Sequence, residues 1–446
     1  MSAQTHVFHR APKTALPVAA KGDGIYIVDS EGNRYLDAGD AAVSCLGHSD
    51  PEVTTAIKAQ LDDLAFAHNG FFTSQPAEDL ADLIISKAPG DMRAVYYLSG
   101  GSEAVETALK MSRQYHLETG QPNRSKFIAR RQSYHGNTLG ALGVGGNLFR
   151  REPYAPLMVD TSHISPCYVY RDKRDDESEV EYGIRVANEL ETEILRLGAE
   201  NVAAFIAETV GGATAGVIPP VEGYFKRIRE ICDQYGVIMI LDEVMCGMGR
   251  TGTLFACEQD DVVPDIVCIA KALGAGYQPI SATVVSLKVY NAFINGSGAF
   301  QHGHTYLGHP TACAAALAVQ RKIKKDDLLG AVKRQGAALV EKLHARFGNH
   351  AHVGDIRGRG LFQGIEFVAD RATKEPFDPA LKLNARIKKY AFEDGLICYP
   401  GGATADGVRG DHVLLAPPYI ISDEQLDELV EKLGGAIDKT FTDISG

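Results

Sequence analysis

A chain of 446 residues with 45% apolar content can bury a large core and is long enough for two domains. Its formal net charge of −12 argues against non-specific nucleic-acid binding and fits a soluble metabolic protein. The apolar runs are strand-sized and Met1–Arg10 lacks the apolar core of a secretory signal, so no membrane span and a cytoplasmic location are expected.

Near the N-terminus, Ile25–Val28 and Arg34–Leu36 flank the turn Asp29-Ser-Glu-Gly-Asn33 and predict a β-hairpin or meander. From Pro51 the pattern turns helical, with Val53, Ile57, Leu61 and Leu64 at three- and four-residue steps. Leu80, Leu83 and Ile84 mark a second helix. Between Val95 and Val285 strands and helices alternate: strand Val95–Leu98, helix Glu103–Tyr115, strand Lys126–Ala129, strand Val202–Ala207, helix Tyr224–Tyr235, and strands ending at Asp242 and near Lys271. This alternation predicts an α/β fold with a mainly parallel sheet covered by helices on both faces. A helix over Pro310–Lys324 leads into charged amphipathic segments (Leu328–Phe347), short strands (Leu361–Phe367, His412–Ala416) and a last helix from Asp423. The composition change predicts a large domain over 61–330 and a smaller α+β domain over 331–446, to which 1–60 contributes. Eight cysteines (45, 167, 232, 246, 257, 268, 313, 398) are scattered in mostly apolar contexts without a Cys-x-x-Cys. Reduced core residues are expected and no metal site, metal ligation being the remote alternative.

The chemistry concentrates at strand ends. Gly236–Asp242 and Asp265–Ala270 read as buried parallel strands, and the first ends on Asp242 while Lys271 follows the second. Ligands of open α/β sheets bind at that edge. A lysine and an aspartate there suit pyridoxal 5'-phosphate (PLP): the lysine forms a Schiff base with its aldehyde, and the carboxylate keeps the pyridine nitrogen protonated. Taken singly, Asp242 reads equally as a cap and Lys271 as a surface lysine. The apolar flanks Val267, Ile269, Ala272 and Leu273 argue that Lys271 is desolvated, which favours its neutral, nucleophilic form. Ser99-Gly-Gly-Ser-Glu-Ala104 stands where a strand hands over to a helix, and free amides there favour an anion; a tight turn without ligand carries similar residues. Tyr134, in Ser133-Tyr-His-Gly136, offers a flat face for a heteroaromatic ring, with a buried aromatic and a satisfied core histidine as the plain reading.

In this combination the chain resembles the class III, or omega-amino, aminotransferases of the fold type I PLP superfamily. The matching motifs run in order along nearly the whole chain: Asp29–Asp37, Leu46-Gly-His48, Ser99–Ala104, Tyr134-His-Gly136, Leu241–Val244 through Gly249-Arg-Thr-Gly252, Lys271-Ala-Leu-Gly274, His304–Pro310, Arg357–Leu361 and Ala416-Pro-Pro418. The resemblance implies a large domain with a seven-stranded-type sheet between helices, plus a smaller domain. It implies that Lys271 is the Schiff-base lysine and proton shuttle, Asp242 the pyridinium partner, and Val244 and Tyr134 the residues on the two ring faces. Gly101 and Ser102 would hold the phosphate. Glu208 would stand near the 3'-oxygen, and Thr305 would reach the phosphate of a partner subunit, making a homodimer, with a tetramer as the alternative. Thr209-Val210 replaces the proline frequent after that glutamate, and Met245, Cys246 and Met248 replace more polar and aromatic residues, which alters the expected pocket shape.

The expected reaction carries an amino group from an amine, diamine or omega-amino acid to a keto acid such as pyruvate or 2-oxoglutarate, in two half-reactions. Arg409, in the glycine-bearing loop Tyr399–Asp411, is the candidate movable cation for a carboxylate, against a plain surface arginine. Phe71 and Phe72 are candidates for the substrate pocket, with interface packing as the equal reading. Aminomutase or decarboxylase chemistry would use the same Lys271 and Asp242, and a PLP-free binding protein on the same fold is the further alternative.

Overall fold

The computed structural model describes residues 5–39 and 41–445; Met1–Gln4, part of the stretch read for a signal, lie outside them. Its centre is a seven-stranded sheet of β4 (Met92–Leu98), β5 (Lys126–Arg130), β6 (Thr161–Ile164), β7 (Val202–Glu208), β8 (Ile238–Asp242), β9 (Ile266–Ile269) and β10 (Ser281–Ser286), in the order β4-β10-β9-β8-β7-β5-β6. Strands β9, β8, β7, β5 and β6 pair in parallel, while β10 is antiparallel to both neighbours. Strands β7, β8 and β9 are buried at every position, as apolar runs covered on both faces must be.

Alternation along these strands divides the core. Ala204, Ile206, Ile238, Ile240, Ile266 and Cys268 face the helix Gly101–Glu118, whose Ala104, Val105, Ala108 and Met111 pack on them. Phe205, Ala207, Met239, Leu241, Val267 and Ile269 face the other way, against the helices Glu179–Leu197 and Tyr224–Tyr235. The first of these two starts on a capping box, Ser178 with Glu181, and the second stops at Gly236 in a left-handed conformation.

Two four-stranded sheets accompany the large one. In the first, β1 (Ala19–Asp23), β2 (Tyr26–Asp29) and β3 (Arg34–Asp37) form a meander, and β13 (Leu396–Ile397) adds to β3 in parallel, with Leu396 opposite Leu36. In the second, β11 (Val353–Arg359), β12 (Phe362–Phe367), β15 (Asp411–Leu415) and β14 (Tyr399–Gly402) are antiparallel throughout.

Two local expectations are corrected. The stretch read as one loop from Tyr399 to Asp411 begins with β14, an edge strand on β15, and only 403–410 is loop. Gly401 is demanded there because a Cβ would stand 2.5 Å from the His412 ring. The helix Pro51–Asp63 exists, but it buries only Val53, leaving Leu61 and Leu64 exposed. All eight cysteines are buried and unpaired.

Candidate active site

The register of the parallel strands brings the charged residues together. Glu208 ends β7 directly opposite Asp242, which ends β8, and Asp242 pairs with Cys268 of β9, three positions before Lys271. Lys271 has φ +44°, a left-handed conformation that a side chain rarely adopts, and its carbonyl accepts from the amides of Gly274 and Ala275. Such a conformation costs about 1–3 kcal/mol and persists where surrounding structure holds it, often at functional sites.

These side chains line one cavity of about 350 Å³, shared with Gly101, Ser102, Tyr134 and Val244, and with Val210, Met245 and Cys246 from the stretches that depart from the family pattern. Burial lowers the Lys271 ammonium pKa, opposed by the charges of Asp242 and Glu208. Its neutral amine is therefore more accessible than that of a surface lysine. Burial raises the Glu208 carboxyl, although its two oxygens accept from the Tyr134 amide at 3.0 Å and the Gly212 amide at 2.8 Å.

Asp242 is held at both oxygens. One accepts from the Val244 amide at 2.9 Å and the other meets His135 Nδ1 at 2.8 Å. His135 is fully buried and its Nε2 has no partner among the described residues. An ionised Asp242 only accepts, so the pair places the proton on Nδ1. Sequence reasoning left His135 as an alternative core histidine; the signal was its place beside Tyr134.

The anion end is the N-terminus of Gly101–Glu118. Glu103 and Ala104 already donate to the Gly100 carbonyl, Ser99 donates to the Glu103 carboxylate, and no side chain caps the helix. The amides of Gly101 and Ser102 have no acceptor among the described residues, and the positive end of an 18-residue helix stands behind them. Ser102 Oγ accepts from the Asn137 amide at 3.0 Å, leaving its proton free to donate. A Cβ on Gly101 would stand 2.8 Å from Val244 Cγ1, and one on Gly136 (φ +139°) 2.5 Å from Ser102 Oγ. An amine of depressed basicity, a doubly held carboxylate, an aromatic wall and an anion cradle on one small cavity fit the aldehyde, ring nitrogen, ring face and phosphate of PLP.

The remaining sequence candidates lie elsewhere on the chain. Phe71 and Phe72 are 82% and 69% exposed and share a surface recess with Leu307 and Gly308, two to three residues past the exposed Thr305. None of the three lines the Lys271 cavity. Arg409 does not line it either: its guanidinium is bonded to Asp406 and Glu375 at the surface.

Comparison with known proteins agrees with this arrangement. The family model for class III aminotransferases matches residues 8–437. The chain is 49% identical over 439 residues to an uncharacterised aminotransferase of Schizosaccharomyces pombe, covering 98% of this chain and 96% of that one. It is 38% identical to gamma aminobutyrate transaminase 3 of Solanum lycopersicum, covering 95% and 81%. Among solved structures, a PLP-bound amine transaminase from an uncultivated Pseudomonas species superposes with TM-score 0.91 at 36% identity, over 99% of this chain and all of the other. A transaminase from an ancestral-reconstruction study gives 0.92 at 33% identity, over 98% and 97%. These neighbours share the fold type I architecture seen here, and class III enzymes depend on PLP. The chain belongs to the class III aminotransferase family.

Proposed function

We propose that this protein binds PLP in the Lys271 cavity and moves an amino group from an amine, diamine or omega-amino acid to a keto acid such as pyruvate or 2-oxoglutarate. The observation that carries this reading is the convergence of Lys271, Asp242, Tyr134 and the Ser102 helix terminus on one cavity. PLP, when bound, supplies the electron sink that lets the proton on the amine-bearing carbon be removed.

The chain's own groups do the rest. Lys271 holds the cofactor covalently, then acts through its freed amine as the base and acid that moves that proton. Asp242, hydrogen-bonded to His135 and the Val244 amide, would hold the ring nitrogen protonated. Tyr134 and Val244 would hold the cofactor's ring, Gly101 and Ser102 would bind its phosphate through amides and hydroxyl, and Glu208 would stand near its 3'-oxygen. Arg409, the sequence candidate for a carboxylate-binding cation, lies outside this cavity and is bonded to Asp406 and Glu375.

A homodimer belongs to the same reading. Phe66, Phe71, Phe72 and Tyr306 are exposed near Thr305 at the β4 edge of the sheet, and grouped exposed aromatics mark association surfaces. In the dimer Thr305 would complete the partner's phosphate site.

The test is spectroscopic and then catalytic. Purified protein given PLP is expected to show a borohydride-reducible chromophore that Lys271→Ala abolishes with the fold intact by circular dichroism. It is also expected to form alanine from pyruvate with at least one amine donor. Absence of the chromophore refutes cofactor binding, whereas a chromophore without alanine from any donor favours aminomutase or decarboxylase chemistry.

A further inference from the structure

Beside the Lys271 cavity lies a second, larger one of about 1110 Å³. Two elements form the wall between them. Tyr134 lines the smaller cavity, and Arg150, which lines the larger, stacks on its ring. The other element is the turn after β7: Glu208 lines the smaller cavity while Ala213 and Thr214 line the larger. The floor of the larger cavity comes from β14, with Tyr399 close enough to Tyr134 to raise the cost of ionising it.

The arginines around this cavity differ in what they already hold. Arg409, between the lining residues Val408 and Gly410 but not itself in the lining, is spoken for by Asp406 and Glu375. Arg151 donates from Nη2 to the Gly143 carbonyl. The guanidinium of Arg150 has neither a carboxylate nor a carbonyl acceptor among the described residues. It rests instead with Cζ 4.8 Å from the centroid of the Tyr134 ring, while Asn147 Oδ1 fixes its backbone amide. None of the three acids in the lining pairs with it: Asp160 meets Lys126, Asp411 accepts from the Asn384 amide with its carboxyl pushed up to about 6 by burial, and Glu152 makes no ion pair among the described residues. A half-buried fork of donors, resting over an aromatic ring and without an acceptor among the described residues, is preorganised for a bidentate carboxylate.

Resting on the transaminase reading, we propose that Arg150, and not Arg409, binds the distal carboxylate of an omega-amino acid donor whose chain lies in the larger cavity. The position of the Tyr134 ring sets the length selection. Arg150 lines the larger cavity and Lys271 the smaller, so a carboxylate on the carbon next to the amine falls short of Arg150. A carboxylate several carbons further along the chain reaches it.

The test compares donors that differ only in the carboxylate, 6-aminohexanoate with hexylamine and 4-aminobutyrate with butylamine, using holoenzyme and pyruvate. In Arg150→Gln the ratio of kcat/KM between carboxylated and uncarboxylated donor is expected to fall about tenfold to a hundredfold, the loss typical of one hydrogen-bonded charge. Arg150→Lys should recover part of it, and Arg409→Gln should leave the ratio within about threefold. An equal loss for both donors in Arg150→Gln would reduce Arg150 to a prop for Tyr134 and overturn the proposal, as would collapse of the ratio in Arg409→Gln alone. If the wild type makes no alanine from any donor, the transaminase reading itself fails. Calorimetric binding of hexanoate to the holoenzyme then still decides Arg150: loss in Arg150→Gln upholds the carboxylate site, and undiminished binding overturns it.

Discussion

At the residue scale, the pairing of His135 with Asp242 carries the most consequence for the electronics of the site. A buried carboxylate is costly unless its lone pairs are met, and Asp242 has a donor on each oxygen. Replacing His135 by Leu removes one donor and keeps an apolar filling. A charge-assisted hydrogen bond contributes about 1.5–3 kcal/mol. A fall in kcat of about tenfold to a hundredfold is therefore expected, together with a shifted pH titration of the cofactor absorbance that mere structural damage would not produce. An unchanged titration would exclude His135 from positioning Asp242.

Glu243, next in sequence, is fully buried. Its oxygens accept from Thr209 Oγ1 and the amides of Ala256 and Cys257, yet burial pushes the carboxyl up to about 7. The folded chain thus keeps this proton above the ordinary carboxylate value of 4.5. The stability it contributes is complete below that value and is lost as pH rises through about 7. Melting temperatures across pH 5 to 8 should decline more steeply for wild type than for Glu243→Gln; parallel curves would contradict the assignment.

At the element scale, the anion cradle depends on how closely two backbone segments approach. Gly136 has φ +139° and sits against Ser102, at the start of the helix Gly101–Glu118. Gly136→Ala asks a side chain to adopt that conformation and to displace Ser102, at a cost of about 1–3 kcal/mol. Chemical denaturation should register the loss, and PLP affinity should fall with it. Ser102→Ala leaves the backbone alone, so weaker PLP binding without a stability change is expected there. A stability loss for Ser102→Ala would show that its bond to the Asn137 amide matters more than any phosphate.

At the scale of the whole molecule, the exposed aromatics and Thr305 set a test of shared sites. Lys271→Ala and Thr305→Ala homodimers, mixed under subunit exchange, should regain activity up to about a quarter of wild type, because half the dimers are hybrids with one intact site of two. This requires that Thr305→Ala lowers activity on its own and that sedimentation shows dimers. Mixtures no more active than the separate variants would refute cross-subunit donation.

The sequence by itself determined the class of sheet and, through the family resemblance, the class of enzyme, and it singled out Lys271 and Asp242 as candidates at the sheet's edge. Continuous apolar runs such as Ile238–Leu241, alternating with helices, read as strands buried on both faces, and the charges that follow them fall at the ligand-binding edge. The tertiary structure alone decided which residues meet across long separations. His135 reaches Asp242 over 107 positions, and Arg150 is left without an acid while Arg409 finds Glu375. A hydrogen bond or ion pair depends on the register between distant segments, and local periodicity carries no record of that register. Tyr399–Gly402 gave the same lesson: its glycines read as a loop because the strand they pair with, and the His412 ring they make room for, come later in the chain.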